Sequence, residues 1–225
     1  MIGLAMAGAC LAASAAFAIT LLADLYARYG AELRAVDAQS PVAEQASALA
    51  VQLAPRNSGY RADYAWSLAA RGNSAATRNQ YRLALRLDPA NPYRWIEYEQ
   101  LLSRLHQFDD ELAQAASRVV QLAPNSRPIQ LHNAWMGVNY WAFGDDDTRR
   151  AWSRSIVNAL RQDTKFFLQR TISARRDEAF CGFVGPELGL DRWCQAVAWA
   201  RPICESLAQD EKKSAPWCRD LGLSR

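Results

Sequence analysis

The chain is poor in the residues that most metal sites and nucleophilic active sites rely on. Among its 225 residues there are 2 histidines, His106 and His132. Two imidazoles leave little for histidine-based metal binding or for Ser-His and Cys-His pairs. Neither has cysteine or acid neighbours at ligand spacing, so both read as packing or capping residues. Glycine is scarce, at 11 residues, and no G-x-G-x-x-G or G-x-x-x-x-G-K-[ST] run occurs. Glycine-loop nucleotide sites are thereby excluded. Asp145-Asp146-Asp147 lacks the wider, alternating acid pattern of a calcium loop and reads as a helix start. Lysine is limited to Lys165, Lys212 and Lys213, and arginine supplies the rest of the 26 basic residues. A net charge of +3 is too small to mark a nucleic-acid binder. We therefore expect no cofactor, no metal and no nucleic-acid partner.

What the chain does have is apolar surface to bury. Half of its residues are hydrophobic and 22% are charged, enough for one or two globular domains. Met1 to Ala23 contains no charged residue, and the first charge is Asp24. About 20 helical residues cross the hydrocarbon core of a bilayer, so residues 1–23 are expected to form a transmembrane helix or signal anchor. Gly3, Ala7, Gly8, Ala12 and Ala16 give it a small-residue face suited to another membrane helix. A cleaved signal is the rival, since Ala16-Phe17-Ala18 has the small-residue pattern of a cleavage site, but no basic residue precedes the apolar run. Cys10 reads as a buried, inert thiol.

Three segments then recur: Leu49–Pro55, Leu83–Pro89 and Arg118–Pro124. Their prolines, at 55, 89 and 124, are spaced by 34 and 35 residues. Each proline closes an apolar run at helical spacing and is followed by Asn57, Asn91 or Asn125. Proline stops a helix sharply, and the Asn or the adjacent Ser58 or Ser126 can cap the next one. Between the prolines the apolar periodicity predicts paired helices: 59–70 with 75–87, 93–106 with 109–122, and 127–143 with a helix from 145 toward 160. Arg71-Gly72-Asn73-Ser74 and Gly144 supply the breaks.

A helix–turn–helix of this length resembles the tetratricopeptide repeat. Tyr64-Ala65-x2-Leu68 followed by Tyr81, Ala84 and Pro89 matches that family's pattern in one unit. Trp95-x2-Tyr98, Leu102 and Pro124 match in the next, where Glu99 stands in place of a small residue. Met136-Gly137-x2-Tyr140 matches in the third. The resemblance covers residues 41–162. It implies an all-α solenoid of stacked hairpins, with a degenerate first repeat over 24–57 and further repeats over 58–162. It also implies a concave groove lined by the first helix of each pair. In that register Trp66, Tyr93, Gln100, Arg104 and Trp141 line a protein-binding groove, since Trp, Tyr and Arg dominate binding hot spots.

From Arg149 to Arg176 basic residues recur and Asp163 alone opposes them. Arg150 and Arg154, and Arg161 and Lys165, are each four apart and repel along one helix face. An anionic partner, either an acidic polysaccharide or a lipid head group, would relieve that repulsion. Glu97, Glu99, Asp109, Asp110 and Glu111 could in principle supply paired catalytic carboxylates, yet they lie on or near helix ends where acids are ordinary.

Cys181, Cys194, Cys204 and Cys218 fall in the last stretch, residues 163–225, which reads as a helical cap. Its helices are expected over 191–200 and from Pro202 to 208, and covalent staples suit such short pieces. Of the three possible pairings, Cys181–Cys218 with Cys194–Cys204 nests as a stapled hairpin; zinc and free thiols are the alternatives. Disulfides need an oxidising compartment. Arg28 and Arg34 after the apolar run argue for a cytoplasmic C-terminal part, and the cysteines argue for the periplasm. Siding with the cysteines, we expect a single-pass bacterial inner-membrane protein with periplasmic repeats. The resemblance implies a non-enzymatic scaffold like the short repeat proteins of envelope polysaccharide synthesis and export, secretion or cytochrome assembly machines. The rivals are an envelope glycan-processing enzyme subunit and a direct binder of acidic glycan or anionic lipid.

Overall fold

The structure, a computed structural model, describes residues 2–206 and Cys218; for residues 2–9 and 11 it describes the helical backbone alone. The protein is all-α, and every regular element among the described residues is helical. The elements are α1 (Ile2–Val36), α2 (Pro41–Leu53), α3 (Ser58–Ala70), α4 (Ser74–Leu87), α5 (Pro92–Arg104), α6 (Asp110–Leu122) and α7 (Arg127–Tyr140). After a 3-10 turn at Trp141–Phe143 come α8 (Asp146–Ser173), α9 (Asp177–Ala179), a π turn at Phe180–Val184, a 3-10 turn at Pro186–Leu188 and α10 (Asp191–Ser206). The chain divides into two compact units, Met1–Arg94 and Trp95–Arg225.

The helix boundaries follow local chemistry. Ser40, Asn57 and Asn73 cap α2, α3 and α4 by accepting from the backbone N–H groups of Ala43, Tyr60 and Ala76. Asn91 accepts from Tyr93 N at the start of α5, and Asp109 and Asp145 cap α6 and α8. Ser126 holds the cap position of α7 without a side-chain bond. The residues before the three prolines share one conformation. Ala54, Asp88 and Ala123 have φ/ψ of −134°/71°, −143°/67° and −137°/53°. A proline forces its predecessor out of the helical region, so each closure is written in the sequence.

The inner turns repeat as well. Gly72, at φ +78°, ends α3 in the left-handed region, with Gly72 N bonded to Ala69 O and Asn73 N to Leu68 O. His106, at φ +54°, ends α5 with the same two bonds, His106 N to Ser103 O and Gln107 N to Leu102 O. A side chain there is strained where glycine is not.

In the first unit, α1 and α2 pack along a seam of small residues. Ala23, Ala27 and Gly30 of α1 are buried, as are Ala43, Ala46, Ser47 and Ala50 of α2. A Cβ on Gly30 would lie 2.9 Å from Ser47 Oγ and 3.1 Å from the Ala43 carbonyl, so the two backbones approach closely. Residues 24–36 are thus one helix with the apolar segment before them. Arg34 ties α1 to α3, donating from Nη1 to Asp63 O at 2.8 Å and from Nη2 to Asp63 Oδ1 at 3.1 Å. Among the described residues no helix is long and apolar enough to cross a membrane; of the expected span over 1–23, residues 1–9 and 11 lie outside the described side chains. Cys10, expected to be buried, is exposed.

In the second unit, α7 and α8 pack around Trp152, which is fully buried. A Cβ on Gly137 would come within 2.7 Å of Trp152 Cβ, and one on Gly144 within 2.7 Å of Trp152 Cζ3. The two glycines make the slot that the indole fills. α8 extends beyond the expected end near 160 and bends at Asp163, whose φ/ψ of −161°/80° interrupts the helix. Asp163 Oδ1 accepts from Phe166 N at 3.0 Å and so caps the second half of α8.

Two expectations for the C-terminal segment are corrected. Pro202 lies inside α10, which runs unbroken to Ser206. Cys194 and Cys204 are therefore about 15 Å apart along one helix, well beyond disulfide reach. The disulfides are instead Cys181–Cys194 and Cys204–Cys218, with Cα separations of 5.5 and 5.7 Å. Phe180 stacks edge-on against Phe167 and Trp193, with centroids at 6.3 and 5.7 Å, and Arg201 pairs with the buried Asp177.

Two measurements check this architecture. His106→Gly should raise the unfolding free energy by about 1 kcal/mol in urea titrations by relieving the left-handed side chain. Peptide mapping under non-reducing conditions should recover the 181–194 and 204–218 crosslinks and no 194–204 crosslink.

Candidate functional site

The expected groove residues are distributed over several elements. On α5, Tyr93, Gln100 and Arg104 fall at positions i, i+7 and i+11, so they share one helix face. Tyr93 is 57% exposed, Arg104 is exposed and Gln100 is half-buried. Glu97 belongs to the same face and was not among the expected groove residues. The opposite face of α5 is core: Trp95, Ile96, Tyr98, Glu99, Leu101 and Leu102 are buried. Trp66 on α3 is half-buried. Trp141 is corrected from groove to core. It is only 4% exposed, and its carbonyl accepts from Arg149 Nε at 3.1 Å. Val138, Gly137, Ala134 and Gln130 of α7 are buried at positions three, four, seven and eleven before it, so Trp141 continues that helix's buried face.

The arginine stripe also changes character in three dimensions. Arg150 and Arg154 share a face of α8, and Arg161 lies on it two turns later. Lys165 follows the break at Asp163 and leaves that register. A cavity of about 420 Å³ between α6 and α8 is lined by Asp110, Gln114, Ser117, Gln121, Asp145, Asp147, Arg150 and Arg154, among others. On the other side of the same arginines, a cavity of about 400 Å³ is lined by Asp146, Arg149, Arg150, Ser153, Arg154 and Glu187. Arg150 pairs with Asp147, and Asp163 pairs with Arg127 at 3.2 Å. Burial opposes ionisation of Asp145, but bonds from Thr148 and the charges of Arg150 and Arg149 hold its carboxyl below the ordinary range. The ridge is therefore mixed in charge, because α6, the α7–α8 turn and the Pro186–Leu188 turn bring acids beside it.

The most unusual chemistry sits at Glu99, fully buried on α5. Trp152 Nε1 donates to Glu99 Oε1 at 2.6 Å. The end of the Asn133 amide lies 2.9 Å from Oε1 and 2.8 Å from Oε2. Behind Asn133, its Nδ2 donates to Ser155 Oγ, Ser155 Oγ donates to Gln130 Oε1, and Gln130 Nε2 donates to the Ala123 carbonyl, each at 2.8 Å. Burial pushes the Glu99 carboxyl from its ordinary 4.5 up to about 8, and the Trp152 bond lowers it only in part. At neutral pH the protonated form dominates, so the buried site carries no net charge. The sequence signal was present: a carboxylate occupies a position where the repeat pattern calls for a small residue.

The remaining candidates make contacts of their own. His132 is half-buried with its pKa lowered by burial and by Arg170, which lies over the Trp135 ring at 5.0 Å. Glu111 accepts from Tyr98 Oη, and Asp109 and Asp110 occupy the start of α6. Glu99 lines neither of the two cavities described above. Among the described residues no group of three His, Cys, Asp or Glu side chains is arranged to hold a metal. No model of a known protein family matches the chain, and no curated protein matches it.

The sign of the Glu99 effect is testable. Its folded pKa lies above the unfolded value, so it stabilises the fold fully below about 4.5 and progressively less as pH rises to about 8. Urea titrations from pH 4 to 9 should show stability falling across that window. Glu99→Gln keeps the shape of the protonated group; it should flatten the fall and exceed the wild type by about 2 kcal/mol at pH 9.

Proposed function

We propose that the chain is a non-enzymatic, tetratricopeptide-like adaptor that holds a partner protein at the bacterial inner membrane, with its repeats in the periplasm. The observation that carries this reading is the common closure at Ala54, Asp88 and Ala123. Three helices end at the same backbone angles, each one residue before a proline, at the expected period. Repeated hairpins of this kind cannot bury their apolar faces alone and are stable when stacked. Tyr93 and Arg104 on one face of α5 and, separately, Trp66 on α3 are of the side-chain types that dominate protein recognition.

The membrane tether draws support from α1. Phe17, Ile19, Leu21, Leu22 and Leu25 are exposed, with Phe17 at 66% and Leu25 at 64%. A row of exposed apolar side chains continuing an uncharged segment suits lipid better than water. The two disulfides suit an oxidising compartment. Association with an envelope polysaccharide or other assembly machine rests on the family resemblance alone. The rival readings draw less support. Glu99 is sealed rather than set in a cleft, and aspartates line the cavities beside Arg150 and Arg154.

The test uses membranes of the native host, with a photoreactive residue replacing Tyr93. A discrete adduct with a second protein is expected, and Trp66→Ala combined with Arg104→Ala should lower its yield about tenfold. Circular dichroism should show unchanged helicity in that double variant. Absence of any adduct, or an undiminished yield in the double variant, overturns the adaptor reading.

A further inference from the structure

The buried polar chain in the second unit has a direction, and that direction depends on one proton. Starting from Glu99 on α5, it passes through Asn133 on α7, Ser155 on α8 and Gln130 on α7 to the Ala123 carbonyl at the end of α6. Glu99, Asn133, Ser155 and Gln130 are all fully buried, so bulk solvent does not reach them and their partners lie within the packed unit.

With Glu99 protonated, each link of the chain joins one donor to one acceptor. Oε1 accepts from Trp152 Nε1, which leaves Oε2, 2.8 Å from Asn133, to carry the proton and donate it to Asn133 Oδ1. Asn133 Nδ2 then donates to Ser155 Oγ, whose hydroxyl donates to Gln130 Oε1. Gln130 Nε2 completes the series at the Ala123 carbonyl, which also accepts from Ser126 N at 3.2 Å. With Glu99 ionised the first links must reverse. The carboxylate only accepts, so Asn133 turns its Nδ2 to both oxygens, at 2.9 and 2.8 Å, and its Oδ1 accepts from Ser155 Oγ at 2.8 Å. The single proton of Ser155 is then used on Asn133. Among the described residues, Gln130 Oε1 then keeps only Asn158 Nδ2, at 3.5 Å.

We propose that this chain is a two-state hydrogen-bond relay in which the proton on Glu99 sets the orientation of Asn133 and, through Ser155 and Gln130, the firmness of the α6–α7 turn. The relay reaches α5, α6, α7 and α8, and Glu99 lies on the face of α5 opposite Gln100 and Arg104. It therefore joins proton occupancy to the helix that carries the exposed polar face. The groups meeting Glu99 directly are neutral: Asn133 of α7 and Trp152 of α8. Among charged side chains on the packed elements, Glu111 of α6 accepts from Tyr98 Oη, His132 of α7 adjoins Asn133, and Arg149 of α8 is directed at the Trp141 carbonyl. Burial and the Trp152 bond account for the behaviour of Glu99, and none of these charges contributes. The relay does not depend on the adaptor reading and stands or falls separately.

The experiment is a pH titration of the full chain by NMR, following the Glu99 side-chain carboxyl carbon and the side-chain amides of Asn133 and Gln130. All three are expected to move with one midpoint, while amide exchange at Ser126 quickens several-fold above it. In Ser155→Ala the Asn133 signal should still follow Glu99 and the Gln130 signal should not. In Glu99→Gln the Asn133 signal should stay at its acidic position at every pH. An Asn133 amide that does not respond while Glu99 titrates overturns the relay. So does a Gln130 signal that still follows in Ser155→Ala. The wild-type titration decides the first point even if a variant does not fold.

Discussion

A carboxyl group sealed from water sets the terms on which the second unit packs. Glu99 has no solvent to stabilise a charge, so its partners must come from neighbouring helices. Trp152 supplies an N–H from α8 and Asn133 an amide from α7. The indole reaches Glu99 only because Gly137 and Gly144 leave room for it. One buried acid thereby fixes the register of α5 against the α7–α8 hairpin. The same arrangement keeps that acid neutral near pH 7, since an unpaired charge at this site would cost more than any single contact returns.

The first unit uses a different device. Where α7 and α8 meet around a large ring, α1 and α2 meet through Ala23, Ala27 and Gly30 against Ala43, Ser47 and Ala50. Small side chains bring backbones together and gain contact from proximity rather than from side-chain volume. The helix that carries this seam also exposes Phe17 and Leu21 before it and Leu25 beside it.

Much of the helical layout was legible in the chain because it depends on neighbours in sequence. Proline at 55, 89 and 124 excludes its predecessor from helical angles, and Asn57, Asn73 and Asn91 satisfy the backbone donors that follow. His106 was legible only as a residue near a turn. Its equivalence to Gly72 emerged from the matching left-handed angles and paired carbonyl bonds. The substitution of Glu99 for a small residue was visible as an anomaly, while its neutral state and its partners were not. Those depend on Trp152 and Asn133, far away in sequence but adjacent in space.

The chain by itself determined the helical class, the period, the positions of the closures and the presence of cysteines able to pair. These follow from steric exclusion and hydrogen-bond satisfaction within a few residues. The tertiary structure decided which cysteines meet, because helix α10 persists through Pro202 and separates Cys194 from Cys204. It also decided that Trp141 is core, that aspartates flank Arg150 and Arg154, and that Glu99 holds its proton near neutral pH. Each of these depends on burial and on charges brought in from other elements, and burial is a property of the packed chain rather than of any segment.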